Sequence, residues 1–261
     1  MVSSRINLEA PVDTHGNVYE VYSGIQGEGL LVGERQIFVR LAGCNLSCSY
    51  CDTPHARIAS DLCRIEQTAG LRDFVVISNP IAAEDVAAFV MRLSASRTLH
   101  HSVALTGGEP LVQADFASLI AQSLKHNGIQ VFLETNGSLP DNLPKILPFL
   151  DYISMDIKLP SATGGPRLLD VHEAFLRQAA TVETCVKMVV TRSSSDEEIL
   201  EAARVVEAID QAIPVVLQPV TDPCQDLSPS AGQILKWQEL CKLCLRNVRV
   251  IPQCHKVMGQ L

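Results

Sequence analysis

Residues 102–134 read Ser-Val-Ala-Leu-Thr-Gly-Gly-Glu-Pro-Leu-Val-Gln-Ala-Asp-Phe-Ala-Ser-Leu-Ile-Ala-Gln-Ser-Leu-Lys-His-Asn-Gly-Ile-Gln-Val-Phe-Leu-Glu. The apolar, β-prone start predicts a strand over 102–106, and Gly-Gly-Glu-Pro ends it. Apolar residues then recur at helical spacing over 114–126, and a second β-rich run follows over 129–134. A strand, a helix and a strand in this order make a right-handed crossover between parallel strands.

The same alternation runs outward in both directions. Further strands are predicted over 36–41, 152–156, 185–190, 214–218 and 248–251, and further helices over 83–93, 169–180, 196–212 and 231–243. Ser195 stands three residues before Glu198, a capping box that opens the 196–212 helix. Six or seven such units in 261 residues predict an α/β fold, a barrel or partial barrel of mainly parallel strands, read as a single domain over 1–261. Residues 51–81 carry no clean periodicity and read as a long insertion, in which 74–77 could add a short strand. Residues 160–166 and 221–229 read as loops.

In such folds the active site gathers where strands end and helices begin. Polar residues fall at four of those ends: Thr106-Gly107-Gly108-Glu109-Pro110, Glu134-Thr135-Asn136-Gly137, Asp156-Ile157-Lys158 and Gln218-Pro219. Together they suggest one mouth, although each alone is an ordinary turn sequence.

Composition narrows the function classes. Hydrophobic residues make up 47% of the chain and aromatic residues only 5%, which argues against an all-β sandwich. The net charge of −8 argues against nucleic acid or an acidic membrane surface as a direct partner. No apolar run is long enough to span a bilayer, and residues 1–12 lack the apolar core of a secretory signal, so the expected location is the cytoplasm. In that reducing setting nine cysteines point to metal ligation, reactive thiols or burial rather than to disulfides.

Three of the nine form Cys44-Asn-Leu-Ser-Cys48-Ser-Tyr-Cys51, a C-x3-C-x2-C loop just past the 36–41 strand. Three thiolates on one tight loop suit three irons of a [4Fe-4S] cluster and leave the fourth iron without a protein ligand. A structural zinc ion would want a fourth ligand, and His55 is the nearby candidate.

This loop resembles the signature of the radical S-adenosylmethionine superfamily, with Tyr50 at the aromatic position before the third cysteine and Gly107-Gly108-Glu109-Pro110 matching the superfamily's G-G-E-P segment. A narrower resemblance is to the 7-carboxy-7-deazaguanine synthases. It is carried by Tyr22-Ser23-Gly24-Ile25-Gln26-Gly27-Glu28-Gly29, Phe38-Val39-Arg40-Leu41-Ala42-Gly43-Cys44, Cys51-Asp52-Thr53, the four strand-end motifs and Pro252-Gln253-Cys254-His255-Lys256. It touches most of the chain.

The resemblance implies a partial TIM-like barrel with an insertion after the cluster loop. It implies that 6-carboxy-5,6,7,8-tetrahydropterin is converted to 7-carboxy-7-deazaguanine with loss of ammonia. One electron from the cluster would cleave S-adenosylmethionine, and the resulting 5′-deoxyadenosyl radical would take hydrogen from the pterin and later return it. Cys44, Cys48 and Cys51 would hold the cluster, and Thr53 would be a Mg2+ ligand. Tyr50, Gly108, Glu109, Ser138, Asp156, Lys158 and Gln218 would meet S-adenosylmethionine. Ile25, Gln26, Gly27, Glu28, Arg40, Thr106 and His255 would meet the pterin, His255 from a C-terminal tail that closes over it. A homodimer and a flavodoxin or ferredoxin as electron donor are implied too. Arg40, a fixed cation able to grip a carboxylate in bidentate fashion, and the close backbone approach allowed by the glycines of 24–29 agree with those roles on physical grounds.

Two other readings stay open at this point: a superfamily member that activates a partner protein by forming a glycyl radical, and a non-catalytic zinc module. Cys241-Lys-Leu-Cys244 could join Cys254 in a second metal site, but its leucine neighbours favour packing, and Cys63, Cys185 and Cys224 read as interior residues.

Overall fold

Seven strands of the computed structural model run parallel and side by side: β3 (Arg35–Leu41), β7 (Ser102–Gly107), β8 (Val131–Thr135), β9 (Tyr152–Asp156), β10 (Glu183–Val190), β11 (Val215–Pro219) and β12 (Val248–Val250). They are the seven strands expected from the sequence. The structure describes residues 14–94, 98–221 and 227–260. Cys224, part of the 221–229 stretch and the N-terminal residues 1–12 lie outside them.

Three more strands extend the sheet beyond β3. β2 (Val18–Ile25) is antiparallel to β3, β4 (Leu62–Glu66) is parallel to β2, and β5 (Phe74–Ser78) is antiparallel to β4. The insertion after the cluster loop is therefore largely a two-stranded addition to the sheet, and β5 covers the short strand expected there. β12 and β5 are the two ends of the ten-strand order, so the sheet is an open, partial barrel. Two-residue strands β1 (His15–Gly16) and β6 (Ile81–Ala82) pair separately.

Eight α-helices among the described residues accompany the sheet, and the longer ones cover one face. They are α1 (Ala83–Leu93), α2 (Ala114–His126), α3 (Leu143–Ile146), α4 (Pro160–Thr163), α5 (Leu169–Ala179), α6 (Asp196–Glu207), α7 (Ala231–Lys242) and α8 (Cys254–Val257). α2 buries Phe116, Ala117, Ile120, Ala121 and Leu124, an i, i+3, i+4 stripe that seats it on the sheet. The expected capping box opens α6, and Ser230 with Gln233 forms a second one at α7. Residues 160–166, expected to be a loop, begin instead with α4, because Pro160 at its first turn is compatible with a helix; Gly164, at φ 73°, ends it. α6 stops at Glu207, short of the expected 212.

The sheet alternates sharply. Ile37, Val39, Leu41, Val103, Leu105, Val131, Leu133, Ile153, Met155, Val186, Met188 and Val190 join the main apolar cluster with the helices. The intervening residues face the concave side. There Tyr22, Phe38, Ala104 and Phe132 form a small second cluster, and the neighbouring positions are polar. The register lines these up across the strands: Arg64 with Glu20, Glu20 with Arg40, Arg40 with Thr106, Glu134 with Ser154, and Asp156 with Lys187. A parallel sheet covered on one side by helices thus presents a polar belt on the other.

Candidate active site

The belt forms one wall of a cavity of about 550 Å3 whose other wall is the cysteine loop. A volume of that order is typical of small-molecule sites. Seventeen of the eighteen residues singled out from the sequence line it: Ile25, Gln26, Gly27, Glu28, Arg40, Cys44, Cys48, Tyr50, Cys51, Thr53, Thr106, Gly108, Glu109, Asp156, Lys158, Gln218 and His255. Ser138 does not. Its hydroxyl donates to Asn136 Oδ1 at 2.5 Å and accepts from Asn45 Nδ2 at 2.8 Å, tying the loop after β8 to the cysteine loop.

The cysteine loop leaves β3 at Leu41 and is seated by glycines. A Cβ on Gly107 (φ 130°) would lie 2.1 Å from the Leu41 carbonyl, and one on Gly108 would lie 2.1 Å from that of Gly43. Neither position admits a side chain. Glu109, 1% exposed, accepts from Thr135 Oγ1 at 2.8 Å, Asn136 N at 2.7 Å and Leu111 N at 3.1 Å, while burial raises its pKa. Behind it a buried His172 donates from Nε2 to the Asn136 carbonyl at 3.1 Å.

Cys44, Cys48 and Cys51 are free thiols at intermediate exposure. Burial raises the pKa of Cys44 and Cys48 above the ordinary thiol value, so a bound metal rather than the protein environment would hold them as thiolates. His55, the possible fourth zinc ligand, stacks on the Tyr19 ring with centroids 6.0 Å apart. Thr53 Oγ1 lies 4.0 Å from Cys51 Sγ. Beside the loop, Lys158 Nζ pairs with Asp156 Oδ2 at 2.7 Å and donates to the Tyr50 hydroxyl at 3.2 Å. Asp156 Oδ1 and Gln218 Oε1 are buried at the cavity wall without a hydrogen-bond partner among the described residues, and such acceptors call for donors from a ligand.

At the far end of the belt, Glu20 accepts from Arg40 Nε at 3.0 Å and pairs with Arg64 as well. Arg40 also donates to the Tyr22 hydroxyl at 2.9 Å. Burial opposes the Arg40 charge, but Tyr22 and Glu20 outweigh it and raise its pKa, whereas burial pushes Tyr22 up to about 12. Two guanidiniums share the Glu20 carboxylate at this corner, and the Glu134 carboxylate lies close enough to act on Arg40 as well. Gln26 is committed structurally: its amide donates to Gln36 Oε1 at 2.9 Å and Glu134 Oε1 at 2.8 Å, and its oxygen accepts from Glu28 N at 3.0 Å. Thr106 donates to Glu134 Oε2 at 2.6 Å.

The C-terminal tail completes the wall. Gln253 Nε2 bridges Glu28 Oε1 at 2.9 Å and Asp52 Oδ2 at 3.0 Å, and Cys254 N donates to the Gly27 carbonyl at 2.9 Å. His255 Nε2 is 3.6 Å from Asp52, whose pKa falls to about 2: burial opposes the fall, and His255 with Lys187 and Lys256 overcomes it. Lys187 pairs with Glu28 and lies 3.7 Å from Asp156 Oδ2. Burial disfavours both charges of the Lys187–Glu28 pair, yet their attraction lowers the Glu28 pKa and raises that of Lys187.

Lys187, Glu20, Glu134, Asp52 and Gln253 were not among the expected site residues. Lys187 is the one with a usable signal, a lone cation in the apolar strand 185–190, as Arg40 is in 36–41. Among the other described cysteines, Cys63 and Cys241 are fully buried, Cys185 nearly so, and Cys244 Sγ lies 3.5 Å from the carbonyl of Cys241 in α7.

A partial barrel of parallel strands with three free cysteines on the loop after β3, and a glycine-seated Glu109 beside them, defines a radical S-adenosylmethionine enzyme, and the sequence pattern described as Radical SAM superfamily matches residues 39–206. Within that superfamily the chain belongs to the 7-carboxy-7-deazaguanine synthase family. It is 43% identical over 243 residues to the 7-carboxy-7-deazaguanine synthase of Geobacter sulfurreducens, covering 93% of this chain and 96% of that protein. It is 37% identical over 245 residues to the synthase of Methanopyrus kandleri, covering 93% of both. The fold also resembles the crystal structure of QueE from Escherichia coli, with TM-score 0.59, 21% identity, and 93% of this chain and 96% of that one covered. Family membership implies a [4Fe-4S] cluster, S-adenosylmethionine and Mg2+. No helix among the described residues is long and apolar enough to cross a membrane.

Proposed function

We propose that this chain converts 6-carboxy-5,6,7,8-tetrahydropterin to 7-carboxy-7-deazaguanine by ring contraction with loss of ammonia. The observation that carries the reading is the cavity in which the cysteine loop faces a belt of buried, mutually paired charges. Such a wall suits a planar heterocycle with a carboxylate at one side and amide and amine groups at the other.

The cluster and S-adenosylmethionine, when bound, supply the one-electron chemistry that removes hydrogen from carbon. The residues of the chain bind, orient and shield. Cys44, Cys48 and Cys51 would ligate three irons, and Glu109, with the Gly107–Gly108 backbone, would receive the methionine amino group. Burial opposes the Glu109 charge, and a bound ammonium would offset that cost. Asp156 and Gln218 present the open acceptor atoms for hydroxyl or amine donors. Arg40, at the corner where two guanidiniums meet, would draw the pterin carboxylate, with Mg2+ held by Thr53. Glu28, kept ionised by Lys187, would accept from the amino edge of the pterin. Gln26 shapes the loop instead of reading the ligand, and Ile25 and Gly27 contribute backbone. The tail residues Gln253 and His255 would exclude water from the cavity.

As part of the same reading we place the enzyme as a cytoplasmic homodimer reduced by flavodoxin or ferredoxin. Anaerobically reconstituted protein should form 7-carboxy-7-deazaguanine from the pterin. Consumption of S-adenosylmethionine without that product would overturn the substrate assignment.

A further inference from the structure

The insertion after the cysteine loop does more than widen the sheet. β4 alternates: Cys63 and Ile65 are fully buried in the main apolar cluster, so Arg64 between them is directed to the concave face. There it pairs in register with Glu20 on β2, and Glu20 with Arg40 on β3. The result is a row of cation, anion and cation across three adjacent strands.

Glu20 gives each guanidinium one oxygen. Arg40 donates from Nε to Oε1 at 3.0 Å, and Arg64 donates from Nη2 to Oε2 at 2.5 Å. The two arginines differ in what is left over. Arg40 is buried and donates also to the Tyr22 hydroxyl, whereas Arg64 keeps 45% of its side chain exposed and lines the cavity. Among the described residues the Arg64 guanidinium makes no second hydrogen bond. Its head is held all the same, with its central carbon 4.9 Å from the Phe74 ring centroid and 5.7 Å from that of Tyr19. A guanidinium fixed by a carboxylate and two rings has little freedom left to lose when a ligand arrives. Glu20 already has a cation in the buried Arg40, so its charge does not require a second one facing the cavity.

We propose that Arg64 is a second binding residue for the carboxylate of the pterin, gripping it together with Arg40. The inference rests on the reading above that this cavity takes a carboxylated pterin, and it gives the insertion a part in substrate selection. A carboxylate offers two oxygens and about four lone-pair directions, so one guanidinium does not saturate it. The two arginine side chains converge on Glu20, which holds both heads at one corner of the cavity. Donors from two strands fix the plane of the carboxylate as well as its position, which a planar fork can do and a point charge cannot. A ligand without the carboxylate gains nothing from Arg64.

The test uses the anaerobically reconstituted full-length holoenzyme with S-adenosylmethionine and two probes, 6-carboxypterin and pterin. The first is aromatic and has no hydrogen on C6 to lose; the second lacks only the carboxylate. Calorimetry gives both dissociation constants for the parent, Arg64→Gln, Arg64→Lys and, as a control on the same face of β4, the exposed Leu62→Ser. Arg64→Gln should weaken binding of 6-carboxypterin roughly tenfold or more and change that of pterin less than about twofold. Arg64→Lys should lose part of the preference for the carboxylated probe, and Leu62→Ser none of it. In turnover, Arg64→Gln should raise KM for the carboxytetrahydropterin by a similar factor, with kcat and KM for S-adenosylmethionine little changed. Equal losses for the two probes would mark a purely structural role and overturn the proposal, as would unchanged binding of 6-carboxypterin in Arg64→Gln. Should Arg64→Gln not fold, Arg64→Lys decides, because it keeps a cation for Glu20: a preference equal to the parent's would overturn the proposal. A parent that prefers 6-carboxypterin but forms no product would count against the proposed reaction, and the variants would still decide the role of Arg64. A parent that binds both probes equally would overturn both.

Discussion

The ammonium of Lys187 on β10 pairs with the Glu28 carboxylate, which lies 159 positions earlier in the chain, and the same ammonium lies 3.7 Å from Asp156. One cation therefore ties the glycine loop proposed to meet the pterin to the strand end proposed to meet S-adenosylmethionine. Replacing it with Met leaves Glu28 without its cation in a largely buried position, a change that costs roughly 3–5 kcal/mol. The expected outcome for Lys187→Met is a lower unfolding midpoint and a fall in product formed per 5′-deoxyadenosine released, with Lys187→Arg recovering much of that ratio. Chromatographic quantitation of both species checks it; an unchanged ratio in the Met variant would remove Lys187 from substrate positioning.

Gly27 is a contact point for the tail. A Cβ there would lie 2.3 Å from His255 Cβ and 2.4 Å from its backbone nitrogen, so the tail has to move. Gly27→Ala should raise KM for the pterin roughly tenfold or more, a loss of about 1.4 kcal/mol of binding, and leave KM for S-adenosylmethionine little changed. Limited proteolysis should cut the tail faster in the variant.

Gly108 sits against backbone that cannot give way: a methyl carbon added there would lie 2.1 Å from the Gly43 carbonyl and 2.9 Å from that of Ala56. Gly108→Ala should push the cysteine loop out of place and reduce iron and sulfide incorporation on reconstitution. Cys48→Ser should lose incorporation too, while a zinc-only protein would bind neither iron nor sulfide. Iron, sulfide and zinc analysis of the parent and the two variants separates these outcomes.

His172 gives a pH dependence with a defined sign. Burial lowers its pKa from 6.5 to about 4, so the unfolded chain binds a proton more readily than the fold does. Stability from this group is complete above the unfolded value and is lost as pH falls from 6.5 towards 4, by up to about 3 kcal/mol. His100, buried less, acts in the same direction. Urea unfolding of the metal-free protein should show that loss, and His172→Gln should flatten it.

The fold was legible because the parallel strands are buried on both faces and read as apolar, β-prone runs broken by at most one charged residue, as 102–106 and 185–190 do. β2 escaped because Glu20, Ser23 and Gly24 interrupt its run; they are polar or small since they face the belt and the insertion, not because the segment is a loop. The cysteine loop and the Gly-Gly-Glu turn were visible as contiguous motifs. Glu20 was not, nor were the partners of Glu134 and Lys187, because these lie in register: Arg40 beside Thr106 on adjacent strands, or Asp156 beside Lys187, is a fact of pairing that spacing along the chain does not contain. Gln253 is a further case, since its bridge from Glu28 to Asp52 joins residues 225 and 201 positions away.

The central claim concerns the reaction, and the stoichiometry of turnover tests it most directly. Anaerobic holoenzyme with 6-carboxy-5,6,7,8-tetrahydropterin should yield 7-carboxy-7-deazaguanine and ammonia in equal amounts, in excess over the S-adenosylmethionine consumed, because the hydrogen taken from the pterin is returned. Steady loss of S-adenosylmethionine to 5′-deoxyadenosine, with the pterin recovered intact, would contradict it.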